Sequence, residues 1–138
     1  MSDLLSDTGR FAETMDALLG MFDREVFDYM AASGPRAAAF AGALCDRLRK
    51  PLILIGDGDG SVIAGRRAVV LMDTLREGKR ELDIVRELES KGGQVIRIGF
   101  LQEETAYGAR RNKVLKGYPF EAVLVIRSFF RITAFSCP

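Results

Sequence analysis

The 138-residue sequence contains no histidine and no tryptophan. Without histidine there can be no Ser-His-Asp triad, no Cys-His pair, no HExxH zinc helix and no two-His-one-carboxylate iron site. Cysteine is scarce: Cys45 and Cys137 stand too far apart for a CxxC or a zinc knuckle. Two such residues read as reduced thiols of a cytosolic protein, with a single disulfide as the alternative. Charge of one sign is missing as well, with 20 Lys and Arg against 19 Asp and Glu. The clustered cations from which nucleic-acid affinity arises are therefore not expected. The longest apolar runs, such as Ala37–Leu44 and Ala68–Met72, fall far short of the roughly 18–20 residues of a membrane span. The N-terminal MSDLLSDTGR carries acidic residues where a signal peptide needs basic ones. The expectation is a cytoplasmic domain with neither nucleic acid nor membrane as partner, long enough to build a core without staples.

What is present is a pattern of alternating elements. Leu4, Leu5, Phe11, Met15, Leu18, Leu19 and Phe22 recur at three- and four-residue intervals, one stripe of an amphipathic helix. Ser2 is placed to cap it and Gly20 to end or kink it. Residues 1–24 read as a helical arm packing within the fold or against a partner, and residues 25–138 as one α/β unit. Val26–Ala32 reads as a short strand. Ser33-Gly34-Pro35 then leads into an Ala-rich helix, with proline at the first helical position, where its missing N–H costs nothing. Pro51–Ile55 and Ala68–Met72 are uninterrupted apolar runs, as expected of strands covered on both faces. GDGDG (56–60) is a turn, and Val62–Ala64 a short strand. A helix follows near Arg80–Lys91, stopped by Gly92-Gly93. Gln94–Leu101 is a strand, Ala109–Lys116 a short helix, Glu121–Ile126 a strand and FFRITAF an edge strand. Strands alternating with helices predict a mainly parallel, doubly wound sheet.

In such sheets ligands bind beyond the carboxyl ends of the strands. Two strand-to-helix junctions stand there: Ala31–Arg36 and Asp73–Arg80. Each joins a turn to a helix N-terminus, whose free N–H groups and dipole favour phosphate. The second adds Arg76, Lys79 and Arg80 beside Asp73, which is suited to a sugar hydroxyl or magnesium. The Arg66-Arg67 and Arg110-Arg111 pairs read as solvated charges, and Cys45 as a buried, inert thiol.

Taken together, FDYMAASGPRAAAFAGALCDRLRKPLILI, RRAVVLMDTLREGKRELDIVRELESKGGQVIRIGFL and KGYPFEAVLVI resemble the type I phosphoribosyltransferases, most closely the orotate type. The resemblance implies that Ser33, Gly34, Pro35 and Arg36 face pyrophosphate. It further implies that Asp73 and Thr74 face the ribose, and that Arg76, Glu77, Gly78, Lys79 and Arg80 form the loop around the 5-phosphate. Magnesium would arrive through the ligand, with Asp73 as its protein contact and as the best catalytic candidate.

The departures from the family pattern carry as much information. Of the family's two adjacent acidic residues only Asp73 remains, preceded by Met72. Glu77 and Arg80 replace small hydroxyl residues, and Lys79 replaces a glycine. A carboxylate facing phosphate is repulsive unless Arg76, Lys79 or Arg80 offsets it. The family's long basic catalytic loop is reduced to GDGDGSVIAG, and Leu101-Gln102-Glu103-Glu104 stands where an Asp-Arg pair grips orotate. The resemblance so modified implies a phosphoribosyltransferase-like protein binding a ribose-phosphate or nucleotide ligand, or a partner subunit, with transferase activity weakened or lost. The alternative is an active enzyme moving ribose 5-phosphate from phosphoribosyl pyrophosphate to a nucleobase, and beyond it a doubly wound domain alike only in architecture. Homodimerisation is the simplest association that the resemblance implies.

Overall fold

The computed structural model describes residues 4–56 and 63–127. Its strands are β1 (Tyr29–Ser33), β2 (Leu52–Leu54), β3 (Arg67–Leu75), β4 (Gln94–Glu104) and β5 (Phe120–Ile126). They form one parallel sheet in the order β2-β1-β3-β4-β5. Helices α1 (Thr8–Phe22), α2 (Pro35–Leu48) and α3 (Lys79–Ser90) flank it. On one face, Met30, Ala32, Val69, Leu71 and Leu101 pack with Leu18 and Phe22 of α1 and Phe40 and Leu44 of α2. On the other, Tyr29, Ala31, Val70, Met72, Ile98 and Phe100 pack with Val85 and Leu88 of α3. Residues 29–32 of β1 and 68–72 of β3 thus alternate between opposite cores, which is why both runs are apolar throughout. The doubly wound α/β expectation is met.

Helix α1 begins one turn later than its stripe suggests. Asp7 caps it, accepting from the backbone N–H groups of Gly9 (3.0 Å) and Arg10 (3.1 Å). Ser2 lies outside the described residues. The helix runs through Gly20 to Phe22 because nothing crowds that position and Leu18 and Phe22 anchor both sides of it in the core. Close approach to β4 depends on Gly99, where an added Cβ would lie 2.6 Å from Phe22 Cζ and 2.9 Å from Met21 Sδ. Gly99→Ala is therefore expected to cost about 1–3 kcal/mol, the usual range for overpacking, read as a fall in the thermal midpoint.

Other local expectations are corrected. Strand β2 has only three residues and pairs with β1 alone, at the sheet edge; Leu52 and Ile53 pack into the cores on opposite faces, while Leu54 is exposed. Ile63 and Ala64 lie in a helical end and turn instead of a strand. The apolarity of Ile63 is satisfied by burial in the core on the α3 face. Residues 109–117 form successive turns in place of a helix, following a 3₁₀ turn at Thr105–Tyr107. Left-handed Gly108 (φ 79°) and Lys113 (φ 56°) interrupt helical backbone there. The GDGDG turn from position 57 onward and the FFRITAF segment fall outside the described residues.

Candidate functional site

The strand order places a switch point between β1 and β3. The connection leaving β1 runs through α2 to β2 on one side, and that leaving β3 runs through α3 to β4 on the other. Ser33 and Met72 are register partners at the carboxyl end of this strand pair. Crevices form where neighbouring connections diverge in this way, and a cavity of about 680 Å³ opens here. It is lined by the Ser33–Arg36 turn, by Met72, Asp73 and Thr74, and by Arg76–Arg80. Every residue singled out at the two junctions thus meets in one space. Glu81, Ile84 and Tyr107 also line it and were not singled out. The first two sit on the helix face turned to the cavity. Tyr107 follows β4 in a turn whose sequence carries no periodic signal.

At the first junction, Gly34 holds φ 100° and ψ 151° as the N-cap of α2, with Pro35 opening the helix. An added Cβ would be strained at that φ and would lie 3.0 Å from Asp73 Oδ2. No side chain within the turn caps α2. The Asp73 carboxylate stands against it instead, a favourable position for a negative charge beside the helix dipole. Asp73 Oδ1 lies 3.0 Å from Arg36 Nε as an ion pair, with both side chains about a quarter exposed. This oxygen is buried and accepts no well-directed hydrogen bond.

At the second junction, Gly78 is left-handed (φ 92°) and opens α3. Its missing Cβ admits Val114 Cγ1 and Ala109 Cβ, which would lie 3.1 and 3.3 Å from it, so the 109–114 segment braces the loop from behind. Glu81 occupies the first turn of α3. Burial raises its pKa above the ordinary carboxylate value, against the opposing pull of its own backbone N–H, Arg80 and Arg76. Arg76 pairs with Glu104 at the end of β4, and its guanidinium lies 5.8 Å from the centre of the Tyr107 ring.

Arg110 is solvated, as its pairing with Arg111 suggested, but it is not free. Its Nη2 and Nε donate to the two oxygens of Glu103 at 2.9 and 3.2 Å, and its guanidinium stacks 4.3 Å from the Phe120 ring centre. Glu103 is 2% exposed and sits within β4. The acidic stretch Glu103-Glu104 is thus divided: one carboxylate is buried on Arg110 and the other binds Arg76. Cys45 is inert as expected. Burial pushes its thiol up to about 11, and Sγ faces the Pro51 carbonyl at 3.8 Å. Among the described residues no cluster of three His, Cys, Asp or Glu could hold a metal ion, and no helix is long and apolar enough to cross a membrane.

No family model matches the sequence. Adenine phosphoribosyltransferase of Caldicellulosiruptor bescii is 23% identical across 93% of this chain and 86% of its own length. Orotate phosphoribosyltransferase of Mycobacterium avium is 35% identical, but over 48% of this chain and only 36% of that protein. The crystal structure of adenine phosphoribosyltransferase from Thermoanaerobacter pseudethanolicus superposes with a TM-score of 0.78 at 25% identity, covering 89% of this chain and 84% of that one.

Proposed function

From the type I phosphoribosyltransferase fold that this chain carries, we infer that the cavity between β1 and β3 binds a phosphoribosyl or nucleotide ligand, with transferase activity weakened or lost. The observation carrying this is the convergence of two helix N-termini, neither capped by a side chain of its own turn, on one cavity at the switch point. The Ser33–Arg36 turn would present the backbone N–H groups of its non-proline residues and the Arg36 guanidinium to pyrophosphate. Asp73 would accept from ribose hydroxyls, and Arg76–Arg80 would face the C5 end of the sugar.

Asp73 also fits magnesium in its usual nucleotide setting, where one or two carboxylates act together with the ligand's own phosphates. Its Oδ1 is buried and ion-paired with Arg36, so the ion would have to displace that guanidinium. Bound there, the ion would neutralise charge on the departing pyrophosphate. A cytoplasmic place in nucleotide metabolism accords with this reading. A homodimer or partner subunit belongs to it too, supported by exposed Leu124, Val125 and Ile126 on edge strand β5, since the α1 stripe is spent inside the core.

The second reading is an active transferase, favoured by the retention of Asp73 and both helix N-termini. A base nitrogen would bond to C1 as the bond from C1 to pyrophosphate breaks, through an oxocarbenium-like state, with the proton of that nitrogen passing to the departing pyrophosphate or to water. The chain would contribute positioning and charge stabilisation. Calorimetric titration with phosphoribosyl pyrophosphate, with and without magnesium, followed by a pyrophosphate-release assay with adenine, hypoxanthine, uracil and orotate, separates the two. Saturable binding without release is expected. Release with any base establishes the second reading, and absence of binding under every condition removes both.

A further inference from the structure

Resting on that reading of the cavity, we propose that Glu77 and Glu104 set its specificity at the C5 end, favouring a pentose with an uncharged 5-hydroxyl over one bearing a 5-phosphate. Four charged side chains of the loop and first turn face the cavity without an ion pair among the described residues: Glu77, Lys79, Arg80 and Glu81. Their formal charges cancel. The fifth, Arg76, would tip the balance toward phosphate, but Glu104 engages it. A phosphate dianion placed against the loop therefore meets no net positive charge from these side chains, only the N-terminus of α3, and it shares the cavity with Glu77. Like charges within several ångströms of each other at a protein surface repel strongly enough to shift affinity by an order of magnitude. A 5-hydroxyl reverses the sign of the contact, because it donates a hydrogen bond that a carboxylate accepts well. The two glutamates act at different points: Glu77 repels, while Glu104 withholds the arginine that would compensate.

The test uses matched ligands differing only at C5, adenosine with AMP and uridine with UMP, titrated calorimetrically into the full chain. The unmodified protein is expected to bind each nucleoside at least as tightly as its monophosphate. Glu77→Gln is expected to tighten the monophosphate about tenfold and to weaken the nucleoside severalfold, since an amide accepts the 5-hydroxyl less strongly than a carboxylate. Glu77→Asp, which keeps the charge, should keep the original preference. Glu104→Gln frees Arg76 and should tighten the monophosphate in its own right, adding to the effect of Glu77→Gln. Raising the salt to about 0.5 M should shrink both gains, since screening acts on charge and not on shape. A gain in affinity also cannot come from misfolding. Tenfold preference of the unmodified protein for the monophosphates, or no gain in either variant, overturns the proposal while leaving the cavity as a nucleotide site. Failure of all four ligands and of phosphoribosyl pyrophosphate to bind overturns the cavity assignment along with it.

Discussion

Replacing Arg110 with alanine should lower the unfolding free energy by about 3 kcal/mol, near the low end for removing one partner of a buried ion pair. Glu103 is 2% exposed and has both oxygens on the Arg110 guanidinium. Truncation strands that carboxylate where water reaches it poorly, and also removes the stack on Phe120. The low end applies because Arg110 itself is about half exposed, so some solvent enters the space vacated. Urea unfolding of Arg110→Ala, of Glu103→Gln and of the double variant tests the coupling. The double variant should recover much of the loss, because a neutral amide no longer needs a cation. A loss under about 1 kcal/mol in the single variant would place the pair among ordinary surface salt bridges. The same substitution should weaken ligand binding, since the 109–114 segment that Arg110 anchors packs directly on Gly78.

Asp73→Ala should weaken phosphoribosyl pyrophosphate binding about a hundredfold. Two effects compete. Loss of the carboxylate removes a negative charge near the pyrophosphate position, which favours binding. It also removes the acceptor for the ribose hydroxyls and the donor proposed for magnesium. Hydrogen bonds to a charged group contribute about 1.5–3 kcal/mol, so the loss of acceptors is the larger effect. The relief of repulsion is small, because Arg36 at 3.0 Å already balances the Asp73 charge. Asp73→Asn, which retains one carbonyl acceptor, should fall between the two. Calorimetry in magnesium reads both variants. Unchanged affinity in Asp73→Ala would move the sugar away from the end of β3.

How far the sequence prefigured this structure differs from element to element. Helix α2 begins at Pro35 as read, because proline at the first turn and an Ala-rich amphipathic stripe point the same way. AVVLM marks a strand buried on both faces, and β3 is one. The two junctions were legible from small residues and charges next to apolar runs, and all their singled-out residues line one cavity. What escaped detection was long-range. PLILI has the composition of a central strand, yet β2 lies at the edge, because strand order is set by crossovers and not by local pattern. Glu103 and Arg110 are each unremarkable in sequence, and only the alignment of β4 with the following turns brings them together. The Glu104–Arg76 pair spans two connections in the same way. A one-dimensional pattern locates apolar periodicity and turn chemistry, while pairing of charges across the sheet requires the sheet.

The switch-point geometry has a further consequence for how binding and folding are linked. The Ser33 turn and the Asp73 loop belong to strands that pair in parallel, and a parallel pair cannot be joined by a tight hairpin. Nothing short in the chain can preassemble the two halves of the cavity, and they exist as a pair only once this slow, non-local closure has occurred. A molecule touching both halves thus recognises the folded state alone. At a hundred times its dissociation constant it would add about 2.7 kcal/mol to the unfolding free energy, acting as a removable cross-link between the two central strands.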